Sequence, residues 1–303
     1  MGVGPLPDPN LLASYIAREE GLRRAANTSL PAADILRYGA IVGCHVEAHA
    51  SLPRAMDEMR RQIAAAGRRR QSLASGSVII ADTLTGGKGR FQRVWHAPPG
   101  GLWLVVALFN QWLPATAQLV PLAAGLAACE TVRHFGLAAE VKWVNDVLVN
   151  GRKVCGILCE TFCCPQSRQE YILVGIGLNI NNSRFPADLG HLATSMKSAA
   201  GRHFDRGEVA LDLLGKLRWN IGLLTYEEEE RNSDHHIFME NYRALCTSCG
   251  RKVFFGFNVQ ESPQYRALVK AIADDGALVL QHLADEAEVV EHAGEIIYLD
   301  ETS

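Results

Sequence analysis

Residues 86–95 read GGKGRFQRVW, with glycines set among Lys88, Arg90 and Arg93 and a tryptophan, Trp95, at the close. Glycine lets backbone N–H groups come close to a ligand. The planar fork of arginine suits a carboxylate or a phosphate. The stretch, with Gly87 and Gly89 inside it, is a candidate anion cradle beside an apolar wall. It fits neither G-x-G-x-x-G nor the phosphate loop G-x-x-x-x-G-K-[ST]. Taken alone, a flexible solvated loop would look the same.

A second stretch, KWVNDVLVNGRKVCG at 142–156, sets Asn145 and Asp146 between two strands, where a polar dyad can orient a ligand or a hairpin. Asn150-Gly151 is a strong hairpin signal, because a type I′ turn needs positive φ at both central residues. Lys153 follows among apolar neighbours, where an ammonium needs a partner to offset lost solvation. Gly156 inside the strand points to close backbone approach by another group. A third stretch, VGIGLNI at 174–180, ends at Asn179, whose amide can donate to and accept from a purine edge. A surface lysine on an edge hairpin, and a core strand ending in a turn, are the plainer readings of these two.

The elements that must position these residues follow from pattern. SVIIAD at 77–82, LWLVVALF at 102–109 and YILVGIGLNI at 171–180 read as strands, and EVKWV, DVLV and RKVCGILCET as a hairpin set around Asn145. Helices are expected at 10–26, 31–38, 53–66 (opened by Pro53), 116–135 (stopped by Gly136), 207–224 and 234–245. Beyond 246 the texture changes to short strands at near-regular spacing, which suggests a small barrel. Consecutive strands broken by hairpins predict an α+β fold with a mixed, largely antiparallel sheet and packed helices. Strict β-α-β alternation is absent, which argues against a dinucleotide-binding fold.

Composition narrows the classes. A net charge of −3 gives no basic field for nucleic acid, and GRRRQ at 67–71 reads as a solvated cluster. No run is expected to reach the roughly 18 apolar residues of a membrane helix, and the N-terminus has no secretory pattern. A cytoplasmic location is expected. The chain carries 8 cysteines, read as buried thiols, Cys155 and Cys159 packing as small hydrophobes. The lone C-x-x-C at 246–249 lacks a second ligand pair, so no metal is expected there.

In order and spacing, GKGR at 87–90 with Trp95, KWVND at 142–146, RKVCGIL at 152–158, GIGLN at 175–179 and CTSCGRKV at 246–253 resemble the biotin–protein ligases. The resemblance covers roughly residues 42–300, and KWVND is its most specific motif. It implies a class II synthetase-like catalytic domain at 41–243, an SH3-like C-terminal domain at 244–303, and an N-terminal extension at 1–40 unlike the family's DNA-binding domain.

The implied activity has two steps. Biotin and ATP form biotinyl-adenylate, with Mg2+ as cofactor, and a lysine of a biotin carboxyl carrier domain then takes the acyl group. By the same resemblance Lys153 and Arg90 are catalytic, Lys153 lying by the biotin carboxylate and α-phosphate. Lys88 and Arg93 serve the anions in the loop, and Asn179 faces the adenine. Asn145 and Asp146 organise the nucleotide or metal. The family's S-T-N triplet is matched to Ser51-Leu52-Pro53 and its glutamine to Thr85, while Lys88 and Val144 stand where the family has arginine and proline. The departures at 52, 53 and 85 touch the acyl pocket more than the nucleotide site, and the readings of a lipoate or other acyl-protein ligase, or of a non-catalytic biotin or adenylate sensor, stay open. No specific DNA or membrane binding is expected, and a homodimer is compatible with unpaired strand edges.

Overall fold

The structure is a computed structural model that describes residues 9–26, 30–187, 189–230 and 235–299. Residues 1–8 of the expected extension, most of its NTSLP connection and position 234 of the expected last helix lie outside them. Helices α1 (Pro9–Ala26) and α2 (Ala32–Tyr38) come first. Strand β1 (Val46–His49), helix α3 (Ala55–Arg68) and strands β2 (Ser77–Ala81) and β3 (Leu102–Phe109) follow. Next are helices α4 (Pro114–Ala117) and α5 (Val120–His134) and strands β4 (Ala139–Lys142), β5 (Asp146–Val149), β6 (Arg152–Cys163) and β7 (Glu170–Leu178). Helices α6 (Met196–Ala200), α7 (Arg206–Glu230) and α8 (His236–Leu245) lead to strands β8 (Lys252–Gly256), β9 (Tyr265–Ile272), β10 (Leu278–His282), β11 (Glu288–Glu291) and β12 (Glu295–Tyr298).

The fold is α+β, as the strand runs predict. A seven-stranded sheet has the order β1-β2-β3-β7-β6-β5-β4, parallel only between β1 and β2. The closing strands form a five-stranded antiparallel sheet, β11-β10-β9-β8-β12. The central strands are apolar on both sides because both sides are covered. Helices α5 and α7 pack on one face, while Val105, Ala107 and Leu173 meet Met56, Met59 and Ile63 of α3 on the other. Alternation along β3 divides its side chains between those layers.

Two expectations need correction. The helix after residue 53 begins at Ala55 with Arg54 as its N-cap, so Pro53 lies outside it. The segment Pro114–His134 is long and apolar enough, with a mean hydropathy of 1.3, to cross a membrane by length and composition. In the fold it is a core segment: α5 is buried along most of its length between the sheet and α7.

Helices α1 and α2 lie against α7, with Leu12, Ala32, Ile35 and Leu36 buried. The small sheet also joins the main core, through Val253, Phe255, Val269 and Tyr298. Trp143 fastens the two sheets, its Nε1 donating to Gly276 O at 3.0 Å and its backbone N–H to Ser248 Oγ at 3.0 Å.

Candidate active site

On the α3 face, just beyond that helix, the sheet is bare of side chains. Gly156 of β6 faces Gly177 of β7, and Gly175 is one rung away, opposite Leu158. The Trp95 indole lies on this floor: a Cβ on Gly177 would come within 2.7 Å of its Nε1, and one on Gly156 within 3.1 Å of its ring. Glycine is required at both places because an aromatic plane lies against the strand. Over the floor is a cavity of about 340 Å³.

Lys153 enters this cavity through a break in strand periodicity. Val147 pairs with Cys155 but Leu148 pairs with Lys153, so β6 carries one extra residue. Such a bulge re-aims a side chain. Without it Lys153 and Gly156 would point to opposite faces; with it they share one. The Lys153 Nζ then lies 2.5 Å from Asp146 Oδ1 and 5.2 Å from the Trp95 ring centroid. Asn145 lies in the sharp link between β4 and β5, where the Trp143–Val144 peptide is cis, and Asp146 opens β5.

Asn145 ties that link to β6, its Nδ2 donating to Ile157 O at 2.7 Å and its carbonyl accepting from Ile157 N at 2.9 Å. Its Oδ1 accepts from Arg90 Nη1 at 3.3 Å. Asn179 follows the last residue of β7 at the same end of the cavity. It is 3% exposed, its backbone N–H donates to Val154 O at 2.9 Å, and its Oδ1 accepts from Asn182 Nδ2 at 2.9 Å.

The glycine-rich stretch is a small hairpin. Trp95 N donates to Gly87 O and Gly89 N to Arg93 O, both at 2.9 Å. A Cβ on Gly87 would come within 2.5 Å of the Trp95 carbonyl oxygen. The hairpin is fastened to the small sheet. Arg90 Nη1 donates to Gly294 O at 2.8 Å, and Arg93 forms a two-pronged pair with Glu295 at 2.7 and 2.9 Å. Arg93 also donates to Asn258 Oδ1. Burial pulls the Arg90 pKa below its ordinary value, partly offset by Glu295 and Asp146. A desolvated cation of this kind gains most from an incoming anion.

The cavity therefore brings together Gly87, Lys88, Gly89, Arg90, Arg93, Trp95, Asn145, Asp146, Lys153, Gly156 and Asn179. Arg93 spends its guanidinium on Glu295 and acts as an anchor of the hairpin. Ser51 and Thr85 are exposed and absent from the wall; Arg54, Ala55, Met56 and Leu84 take their place. The cause is local. Leu52 and Leu84 form a parallel bridge, and Thr85 N donates to Leu52 O at 3.0 Å. Extended backbone sends alternate residues to opposite sides, so Leu84 points in and Thr85 out. The chain enters the pocket again where α3 begins. Arg54, the cap of an amphipathic helix, was the available signal and was missed. On β6, burial pushes the Cys159 thiol up to about 12 and raises Cys155 as well, so neither is a nucleophile at neutral pH.

The sequence pattern of the Biotin/lipoate A/B protein ligase family matches residues 55–179. The biotin–[acetyl-CoA-carboxylase] ligase of Paracoccus denitrificans is 30% identical over 220 residues, which are 69% of this chain and 85% of that protein. The chain belongs to the biotin–protein ligase family. The Mycobacterium tuberculosis biotin–[acetyl-CoA-carboxylase] ligase is 29% identical over 74% of the chain and 79% of its own length. The bifunctional ligase/repressor BirA of Bacillus subtilis is 38% identical over 46% of the chain, a match spanning only 44% of that relative. Among solved structures, the biotin protein ligase of Aquifex aeolicus in complex with biotin and ATP superposes with a TM-score of 0.68 at 21% identity, covering 84% of this chain and 99% of that one. At that identity the likeness carries the ligase fold. Within the family-matched segment lie the hairpin, KWVND, Lys153 and Asn179, the parts that converge on the cavity.

Proposed function

We propose that this chain is a cytoplasmic, ATP-dependent biotin–protein ligase. A carboxylate oxygen of biotin attacks the α-phosphorus of ATP, the bond to the β-phosphate bridge breaks, and pyrophosphate leaves. A lysine amine of a biotin carboxyl carrier domain then attacks the acyl carbon, AMP leaves, and an amide remains. The single observation carrying this reading is Lys153, turned by the bulge into a glycine-floored cavity and held 2.5 Å from Asp146. Joining two anions demands preorganised positive charge, and Lys153 and Arg90, which contact the neighbouring Asp146 and Asn145, are assigned to supply it. A sensor that only binds need not carry a lysine there.

Asn179 is assigned to the adenine, and Asn145 is a positioning residue for Arg90. A Mg2+ fits the donor set modestly: Glu295 is held by both prongs of Arg93, and Asp146, the other carboxylate of the wall, is shared with Lys153. Magnesium bound by one carboxylate takes its remaining oxygens from phosphates and water, and when bound it would neutralise phosphate charge. The hairpin at 86–95 is assigned to exclude water from the adenylate. Strand β1, an edge of the large sheet, offers unpaired backbone to a carrier domain or a second copy. We assign no operator-binding role to α1 and α2, which pack on α7 and bury Leu12, Ile35 and Leu36.

The test is isotope exchange between pyrophosphate and ATP with biotin, lipoate or octanoate added singly. Exchange driven by biotin is expected. Exchange with lipoate alone would move the chain to another acyl-protein ligase, and binding by calorimetry without exchange would make it a sensor.

A further inference from the structure

Arg54 lines the cavity two residues ahead of Met56, which lies against Gly175, away from the Lys153 end. The geometry of β6 and β7 sets that separation. Asn179 lies at the Lys153 end, Gly177 under Trp95, and Gly175 next to Met56, whose Sδ would be 3.3 Å from a Cβ there. Four residues of strand make roughly 13 Å. Between the ends the walls are apolar, from Trp95, Leu84 and Leu158.

The Arg54 side chain is only 19% exposed. Among the described residues its partner is Asp57, reached by Nη1 at 3.4 Å from each carboxylate oxygen. Asp57 is held more closely by Arg60 at 2.6 Å. Arg54 is thus a largely desolvated guanidinium with donors to spare, and a guanidinium can only donate. Ala55, Met56 and Leu84 beside it bring no side-chain acceptor other than a thioether. This end of the pocket can satisfy an oxygen acceptor and is poor at satisfying N–H donors.

We propose that Arg54 is a specificity-determining residue, which binds an oxygen acceptor carried at the distal end of the acyl chain. The proposal rests on the reading of the cavity as an acid-activating site. Two acids present that chemistry: biotin, through its ureido carbonyl, and an α,ω-dicarboxylate of similar length, through its second carboxylate. A plain fatty acid presents nothing there.

The test compares biotin, octanedioate and octanoate in wild type, Arg54→Leu and Arg54→Lys, by pyrophosphate–ATP exchange and by calorimetric binding of each acid. In wild type, biotin or octanedioate is expected to bind at least about tenfold more tightly than octanoate, as one charge-assisted hydrogen bond gives. Arg54→Leu should remove that advantage through KM rather than kcat, and Arg54→Lys should restore part of it. The better of the two oxygen-bearing acids names the source of the acceptor. Unchanged affinity for both in Arg54→Leu overturns the proposal, even where exchange proceeds normally. Loss of affinity without exchange in any protein upholds Arg54 and removes the ligase reading instead. Failure of all three acids to bind wild type overturns both.

Discussion

Lys153 and the glycines under Trp95 are a matched pair of features, one adding charge and the other removing bulk. Lys153→Ala should cut adenylate formation by about 100-fold or more, the scale of one preorganised electrostatic group. Single-turnover formation of acyl-adenylate measures it, and a variant as fast as wild type would remove Lys153 from the chemistry. Gly177→Ala sets a methyl 2.7 Å from the indole nitrogen. Overpacking of this kind costs about 1–3 kcal/mol. It should lower the melting temperature, shift the Trp95 emission and weaken acid binding together. Individual residues of the site were largely legible, because glycine, lysine and asparagine inside apolar strands have few other reasons to be there. The acyl end was not. Ser51 and Thr85 have the right chemistry on the wrong side of the backbone, and parity next to a short bridge cannot be read from residue type.

Most elements were legible too, since apolar runs and Asn-Gly turns fix strands and hairpins locally. The bulge in β6 was not: one extra residue leaves no trace in RKVCGIL, yet it decides which face receives Lys153. The role of α1 was equally hidden, because the partners of its charges, Glu130 and Lys216, lie more than 100 residues along the chain. In the fold Glu19 is 3% exposed and pairs with Lys216 and with Arg23 at 2.6 Å, and Arg23 in turn reaches Glu130 at 2.6 Å. Burial alone would raise the Glu19 pKa, but Arg23 and Lys216 outweigh it and hold the carboxyl below its ordinary value of 4.5. A lowered native pKa stabilises the fold above the unfolded value, and that stability is lost as pH falls through the native one. Acid should therefore loosen α1 from α7 below about pH 4.5. Glu19→Gln leaves Lys216 buried without its partner and should cost about 3–5 kcal/mol at neutral pH. Denaturant titrations across pH check both, the variant losing this part of the acid dependence.

Across the whole molecule, the floor of the site belongs to the large sheet and the anchor of its hairpin to the small one. Glu295→Gln keeps the shape of that anchor and removes its charge. Global stability should change by less than about 1 kcal/mol, since the pair is partly exposed. The adenylate, however, should leak: AMP released without acceptor protein should rise severalfold, and an unchanged rate would detach Glu295 from water exclusion. Such long-range pairing, between residues 93 and 295, is invisible to local pattern. The indole of Trp143 and the ring of Phe255 share one apolar interior, so the smaller sheet cannot swing aside like a door. Any opening of the site by residues 86–95 would first have to break the bonds of Arg90 to Gly294 and of Arg93 to Glu295.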